Sequence, residues 1–421
     1  VPKDHHFVFY QFHGGWDVLL SWDPRDPAIF TPAMVGETGI QLAYERLESV
    51  PSHGIYVDSN LGPLGGFVGD LRLPKYTDRM CLIRGINMET LSHEAGLLRA
   101  FTGRMPLGVV PTRDSIDSVM ATLLGGSNLI PNIGLRSALS VNKNGPATAS
   151  PLQARGSGDF VATLGRDNSL SNAAEAEIAA FLQQQGSCSG AFSAYLDKAY
   201  GVSDSVQSIL SSNLASFFDF AANTPFAQEV RSAYGFNTNQ LQGVAACSAL
   251  AEQALVQQLT RCVSIQVPGP TSSGGFDTHA TLEQGNAQMA AYNSIARLMD
   301  RLEAQAYPDG SGDSWLDRTT ILCSSEFSRS PLLEDDKGRG HWLANVMVLL
   351  GGGIKGNQVI GNTLDVGMVP MRTDLVTGQV SEAGVMLKPE NVQRALYDML
   401  GYTWDVADLR VDPLSAILPT G

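Results

Sequence analysis

Five short runs of apolar residues constrain this chain more than any other feature. They fall at 7–12, 80–86, 263–267, 319–324 and 346–350, and stretches of helical periodicity separate several of them. The first run is almost wholly apolar, as expected of a strand covered on both faces. Strands alternating with helices indicate an α/β protein with a largely parallel central sheet flanked by helices. Candidate helices lie at 93–102, where Leu97, Leu98 and Phe101 share one face, and at 114–124, 288–306 and 391–400.

Four of the runs are followed closely by polar residues suited to chemistry: Asp17, Ser92 with His93, Asp277 with His279, and Glu326. In an open parallel sheet, ligands bind beyond the carboxyl ends of the strands. Residues far apart in sequence then become one constellation. The stretch Gly274-Gly275-Phe276-Asp277-Thr278-His279 is its centre. In extended backbone, residues two apart point to one side, so Asp277 and His279 can present a carboxylate and an imidazole to a single point. A metal ion is a common occupant of such a corner. Asp277 could equally cap the following helix. His341 stands apart, because it precedes a run and must reach the site from a loop.

Each residue also has a plainer role. Asp17 follows two glycines and suits a turn. Ser92 suits a helix N-cap. His93 suits an exposed helix face, or contact with the site in place of a missing ligand. Glu326 could pair with Arg329 and hold a loop. His13 is expected to pack beside the site. Arg84 and Arg329 could hold an anionic substrate or neutralise carboxylates.

From 149 to 262 alternating patterns give way to Ala, Gln, Glu and Leu, which favour helix. This suggests a core of 1–148 and 263–421 with a helical insertion or cap at 149–262. Candidate helices there lie at 172–184, around Val206 to Phe217, and around Leu255 and Leu259. The 421 residues carry a net charge of −14, which argues against nucleic-acid partners, and no apolar run is long enough to span a bilayer. The first residue is Val1, which suggests a removed leader and an exported protein. Cys81 and Cys323 fall in apolar runs and suit buried thiols; two of Cys188, Cys247 and Cys262 could pair after export.

The Gly-Gly-Phe-Asp-Thr-His stretch, Ser325-Glu326-Phe327-Ser328-Arg329 and the early Gly14-Gly15-Trp16-Asp17 together resemble a bacterial family described as a domain of unknown function. Its members are similar to the alkaline phosphatase and sulfatase superfamily, and many carry a twin-arginine export leader. The resemblance implies an alkaline-phosphatase-like fold, a periplasmic or cell-surface location, and one or two divalent ions (Zn, Ca, Mg or Mn). It implies metal ligands at Asp17, Asp277, His279, Glu326 and His341, and a nucleophile at Ser92 or a water activated by the metal. The implied substrate is a small anionic ester. Phe327 stands where relatives have a histidine, and no sulfatase-type Cys-x-Pro-x-Arg segment is present. The alternative is a non-catalytic descendant that serves as a subunit of an exported complex. A carbohydrate-binding role would rest only on Trp16, Trp22 and Trp342.

Overall fold

A computed structural model of the protein describes residues 4–26, 28–42, 57–58, 66–67, 73–126, 128–164, 213–272, 274–280, 284–336, 338–402 and 405–419. Its centre is an eight-stranded sheet. In chain order the strands are β1 His6–Gln11, β2 Met80–Asn87, β3 Asn132–Leu135, β4 Leu152–Ala154, β5 Cys262–Gln266, β6 Thr319–Ser324, β7 Ala344–Gly351 and β8 Gln358–Ile360. Across the sheet the order is β8-β2-β7-β6-β1-β5-β3-β4. Strand β7 runs antiparallel to both neighbours, and every other pairing is parallel.

The sheet is covered on both faces. Along β1, Val8 and Tyr10 enter one core cluster while Phe7 and Phe9 enter the other, as the two-residue period of a strand requires. Helices α3 (Val244–Val256) and α4 (Gln284–Glu303) cover the first face through Leu250, Ile295 and Met299. Helices α1 (His93–Thr102), α2 (Ile116–Leu124) and α5 (Pro389–Met399) cover the second through Phe101, Met120 and Leu396. Each such fully buried large side chain stabilises the fold by about 1.5–3 kcal/mol.

The fold class matches the expectation from sequence, and all five apolar runs are sheet strands. Strands β3, β4 and β8 were not anticipated; they have three or four residues each, too few to show a period. Residues 165–212 of the expected insertion lie outside the described residues, and with them the candidate helix at 172–184 and Cys188. Within its described part, Leu152–Ala154 is an edge strand hydrogen-bonded to β3, and α3 lies in the core. This stretch therefore supplies layers of the core as well as any cap. Cys81, Cys247, Cys262 and Cys323 are all buried free thiols, so Cys247 and Cys262 do not pair. Among the described residues, no helix is long and apolar enough to cross a membrane.

Candidate metal centre

The carboxyl ends of β1, β2, β5 and β6 share one rim. β7 runs the other way, so its start lies on that same rim. His341, just before β7, therefore needs no long reach; a parallel strand would have left it on the far side.

Beyond β1 the chain turns through Gly14 and Gly15, with φ of 108° and 78°. A Cβ on Gly14 would lie 2.4 Å from the backbone nitrogen of Phe276 and 2.5 Å from that of Asp277. Only glycine lets the 276–277 backbone lie this close. Phe276 N–H donates to the His13 carbonyl at 2.7 Å, which docks the Asp277 loop on the end of β1. Beyond β6, Glu326 is fully buried. Its Oε1 accepts from Gly14 N at 2.6 Å and its Oε2 from Ser325 Oγ at 2.9 Å. Helix α1 brings in His93 as its first residue and passes close to Glu326 at Gly96, where a Cβ would lie 2.9 Å from Glu326 Cβ.

Three histidines meet at Asp277. Their Nε2 atoms lie from Asp277 Oδ1 at 3.1 Å for His279, 3.3 Å for His93 and 3.6 Å for His341. His279 Nε2 and His341 Nε2 are 3.0 Å apart. On each ring the other nitrogen faces an acceptor. His93 Nδ1 is 2.7 Å from Glu326 Oε1, His279 Nδ1 is 3.2 Å from Glu334 Oε2, and His341 Nδ1 is 2.8 Å from the Leu91 carbonyl. A carboxylate or carbonyl can only accept, so each Nδ1 carries a proton, and whenever a ring is neutral its Nε2 lone pair is the one turned inward. Three nitrogen lone pairs and a carboxylate oxygen thus share one small space. His93 Nε2 is buried and has no hydrogen-bond partner. With no proton on the Nε2 atoms such an arrangement repels itself, and either a proton or a metal cation relieves it.

Titration follows the same logic. Burial opposes charge on His93, but the Glu326 hydrogen bond and charge, helped by Asp277, outweigh it and raise the pKa. Burial, with Arg329 and the two other histidines, lowers that of His341 despite the Leu91 carbonyl. Burial would raise Asp277, yet Arg329 and the histidines hold it below the usual carboxylate range. Asp277 and His279 keep 43% and 45% of their side chains exposed, so the site opens to solvent on one side.

The structure therefore brings Asp277, His279, His341 and His93 together. Glu326 is beside them, but both of its oxygens are occupied and it orients His93. Asp17 is on the same rim but turned away from the cluster. Its Oδ2 lies 2.9 Å from Arg339 Nε, an ionic contact rather than an aligned hydrogen bond, and its Oδ1 accepts from Leu19 N at 3.1 Å. Burial raises its pKa, offset in part by Arg339. Ser92 caps α1, accepting from Ala95 N at 3.4 Å and donating to Glu94 Oε2 at 3.1 Å. His13 Nε2 contacts Gln11 Oε1 at 2.9 Å, and burial lowers its pKa. Arg329 is fully buried and commits four of its five N–H donors to Asp277 Oδ1 at 2.7 Å and to the carbonyls of Gly14, Gly15 and Arg339. Arg84 donates instead to the Trp22 carbonyl at 2.7 Å. Phe327 places its ring 4.9 Å from that of His93 and 4.5 Å from that of His341, filling the room that another ligand would need.

Glu334, Arg339 and Gln284 hold the site and were not anticipated. Gln284 donates to the carbonyls of Gly15 and Phe276 and to Thr278 Oγ1, and accepts from Asp17 N. Nothing in its sequence neighbourhood marks a glutamine for this role. Glu334 sits in a charged loop whose acids look alike in sequence.

Comparison with solved structures gives low-identity likenesses. LtaP, a lipoteichoic acid synthase from Listeria monocytogenes, is 9% identical over 98% of this chain and 76% of that one, with a TM-score of 0.40. An alkaline phosphatase from the Antarctic bacterium TAB5 is 9% identical over 96% and 100%, with a TM-score of 0.37. A protein of the alkaline phosphatase superfamily from Vibrio parahaemolyticus is 8% identical over 86% and 64%, with a TM-score of 0.33. Comparison with curated proteins finds no match. Residues 69–418 match the family described as "Protein of unknown function (DUF1501)", and the chain belongs to that family.

Proposed function

We propose that this protein is a metal-dependent hydrolase of phosphate or related esters. One divalent ion would be held by His93, Asp277, His279 and His341. The observation that carries this reading is the inward convergence of three imidazole Nε2 atoms on one carboxylate oxygen, each ring held by an acceptor at its Nδ1. A set of three nitrogens and one oxygen suits zinc or a similar transition ion better than calcium or magnesium, which prefer oxygen. Such an ion supplies Lewis acidity, polarising an ester oxygen and lowering the pKa of water.

The chain's own residues then have defined tasks. Glu326, Glu334 and the Leu91 carbonyl keep the protons on Nδ1. Arg329 holds Asp277 in place. Phe327 walls one side, which favours a single ion over a pair. Ser92 is committed to its cap, so water is the preferred nucleophile. Elemental analysis of protein purified without chelators tests the reading, alongside assay of aryl phosphate mono- and diesters. We expect about one equivalent of metal, its loss in Asp277→Ala, and hydrolysis that disappears with it. Protein that stays metal-free after incubation with zinc or manganese would refute the proposal.

The second reading is a non-catalytic subunit that keeps the site for structure. The commitment of Arg329 to the backbone and Asp277 favours it, since among the described residues this arginine is the cation against the cluster. Stoichiometric metal without turnover of any ester would select this reading.

A further inference from the structure

A second candidate site lies away from the cluster, on the strand next to the sheet's edge. Arg84 belongs to β2, in a bulge where the pairing with β7 shifts between Asn345 and Met347. The next residue, Gly85, has φ of 71°. The bulge re-aims the Arg84 side chain, as bulges commonly do. Only Nε is used: it donates to the Trp22 carbonyl at 2.7 Å. Neither Nη atom has a hydrogen-bond partner among the described residues, although the side chain is only 18% exposed.

Its charge is also poorly matched. Among the described residues its carboxylate partner is Asp23, 3.5 Å away. Asp23 Oδ1 is already taken by Arg25 at 2.7 Å and its Oδ2 accepts from Thr363 Oγ1 at 2.5 Å. Burial disfavours the Arg84 cation and neighbouring Arg25 adds to this, with Asp23 a partial offset. Neither Nη is among the atoms sealed from solvent, so both donors stay open to a ligand.

A cleft adjoins this residue. Arg84 lines a cleft of about 360 Å³ together with Val359, Gly361, Asn362, Gly378, Gln379 and Val380. No acid lines it, and it shares no residue with the histidine cluster. We propose that this cleft binds a small oxyanion, a carboxylate or phosphate group, through the two free Nη donors of Arg84. The planar fork of a guanidinium suits two parallel hydrogen bonds to such a group. The small apolar surface of Val359 and Val380 admits a short aliphatic body behind it.

The test is calorimetric titration of the full chain with inorganic phosphate and, separately, succinate, at constant ionic strength. Saturable binding of either is expected, and which one binds tighter identifies the source. Arg84→Met should weaken it by about tenfold or more, the scale of one charge-assisted pair. Val380→Trp, which blocks the cleft from its exposed side and leaves Arg84 in place, should do the same and covers the case in which Arg84→Met misfolds. Asp277→Ala, which disrupts the histidine cluster, should leave the affinity unchanged, so failure of the metal reading and failure of this one are separable. Absence of saturable binding, or equal affinity in folded Val380→Trp or Arg84→Met, overturns the proposal. Loss of binding in Asp277→Ala alone also overturns it, by placing the anion at the metal.

Discussion

Glu326 Oε1 lies 2.7 Å from His93 Nδ1, and that contact decides which face of His93 looks at Asp277. The glutamate is fully buried and receives a second hydrogen bond from Gly14. The carboxylate is thus held by contacts that do not involve the histidine.

Glu326→Gln tests this relationship. The amide keeps the volume but removes the charge and offers its own N–H, so the His93 ring is no longer held with its Nδ1 proton outward. Loss of such an orienting partner weakens metal binding by about 10–100-fold. Competition against a calibrated chelator measures it; unchanged affinity would mean that His93 is not a ligand.

Asp17 and Asp277 each pair with a buried arginine but should differ in their effect on the cluster. Asp17→Ala leaves Arg339, 1% exposed, without its carboxylate. Removing one partner of a buried pair costs about 3–5 kcal/mol, read as a lower urea midpoint with metal content per folded molecule retained. Asp277→Ala likewise strips the fully buried Arg329 of its carboxylate and should lower the urea midpoint too, but here metal content per folded molecule should also be lost.

Gly14→Ala should damage both fold and site. The residue sits at φ 108°, and the new Cβ would meet the backbone of Phe276 and Asp277. Strain of this kind costs about 1–3 kcal/mol before any clash is relieved. Relief must push the Asp277 loop outward, so metal content should fall together with the melting temperature.

Acid should destabilise the protein through the start of β1. Burial pushes His5 and His6 down to about 3, reinforced for His6 by Arg261 and for His5 by His6 and Arg318. Their unfolded values are near 6.5. Below about 6.5 the unfolded chain takes up protons that the folded chain refuses until about 3. Stability is therefore complete above 6.5 and falls as pH drops through that window, by up to about 1.4 kcal/mol per pH unit for each histidine. Arg261 Nη1 lies 3.0 Å from His6 Nε2, so protonating that atom sets two donors against each other. Urea denaturation from pH 7 to 4 should show a shallower decline for His6→Gln, and an identical decline would sink the assignment.

Much of this was legible from the chain itself. The long strands announced themselves because burial on both faces demands continuous apolar side chains, as in β1 and β6. That Asp277, His279 and His341 lie together was legible because acids and histidines near the ends of apolar runs are few in this chain. The roles of Asp17 and Glu326 were not legible. Whether a carboxylate binds a cation or an arginine depends on what the fold places opposite it, and Arg339 lies more than 300 residues away from Asp17. His93 has an ordinary helix-start context, and only Glu326, 233 residues on, gives its ring a direction.

The reversed strand has one further consequence. Because β7 is laddered to β2 on one side and β6 on the other, the height of His341 above the rim is set by two registers at once. A slip of one residue would turn every side chain of the strand to the opposite face. Hydrogen exchange along 344–351 would therefore report on the integrity of the cluster without any probe of the cluster itself.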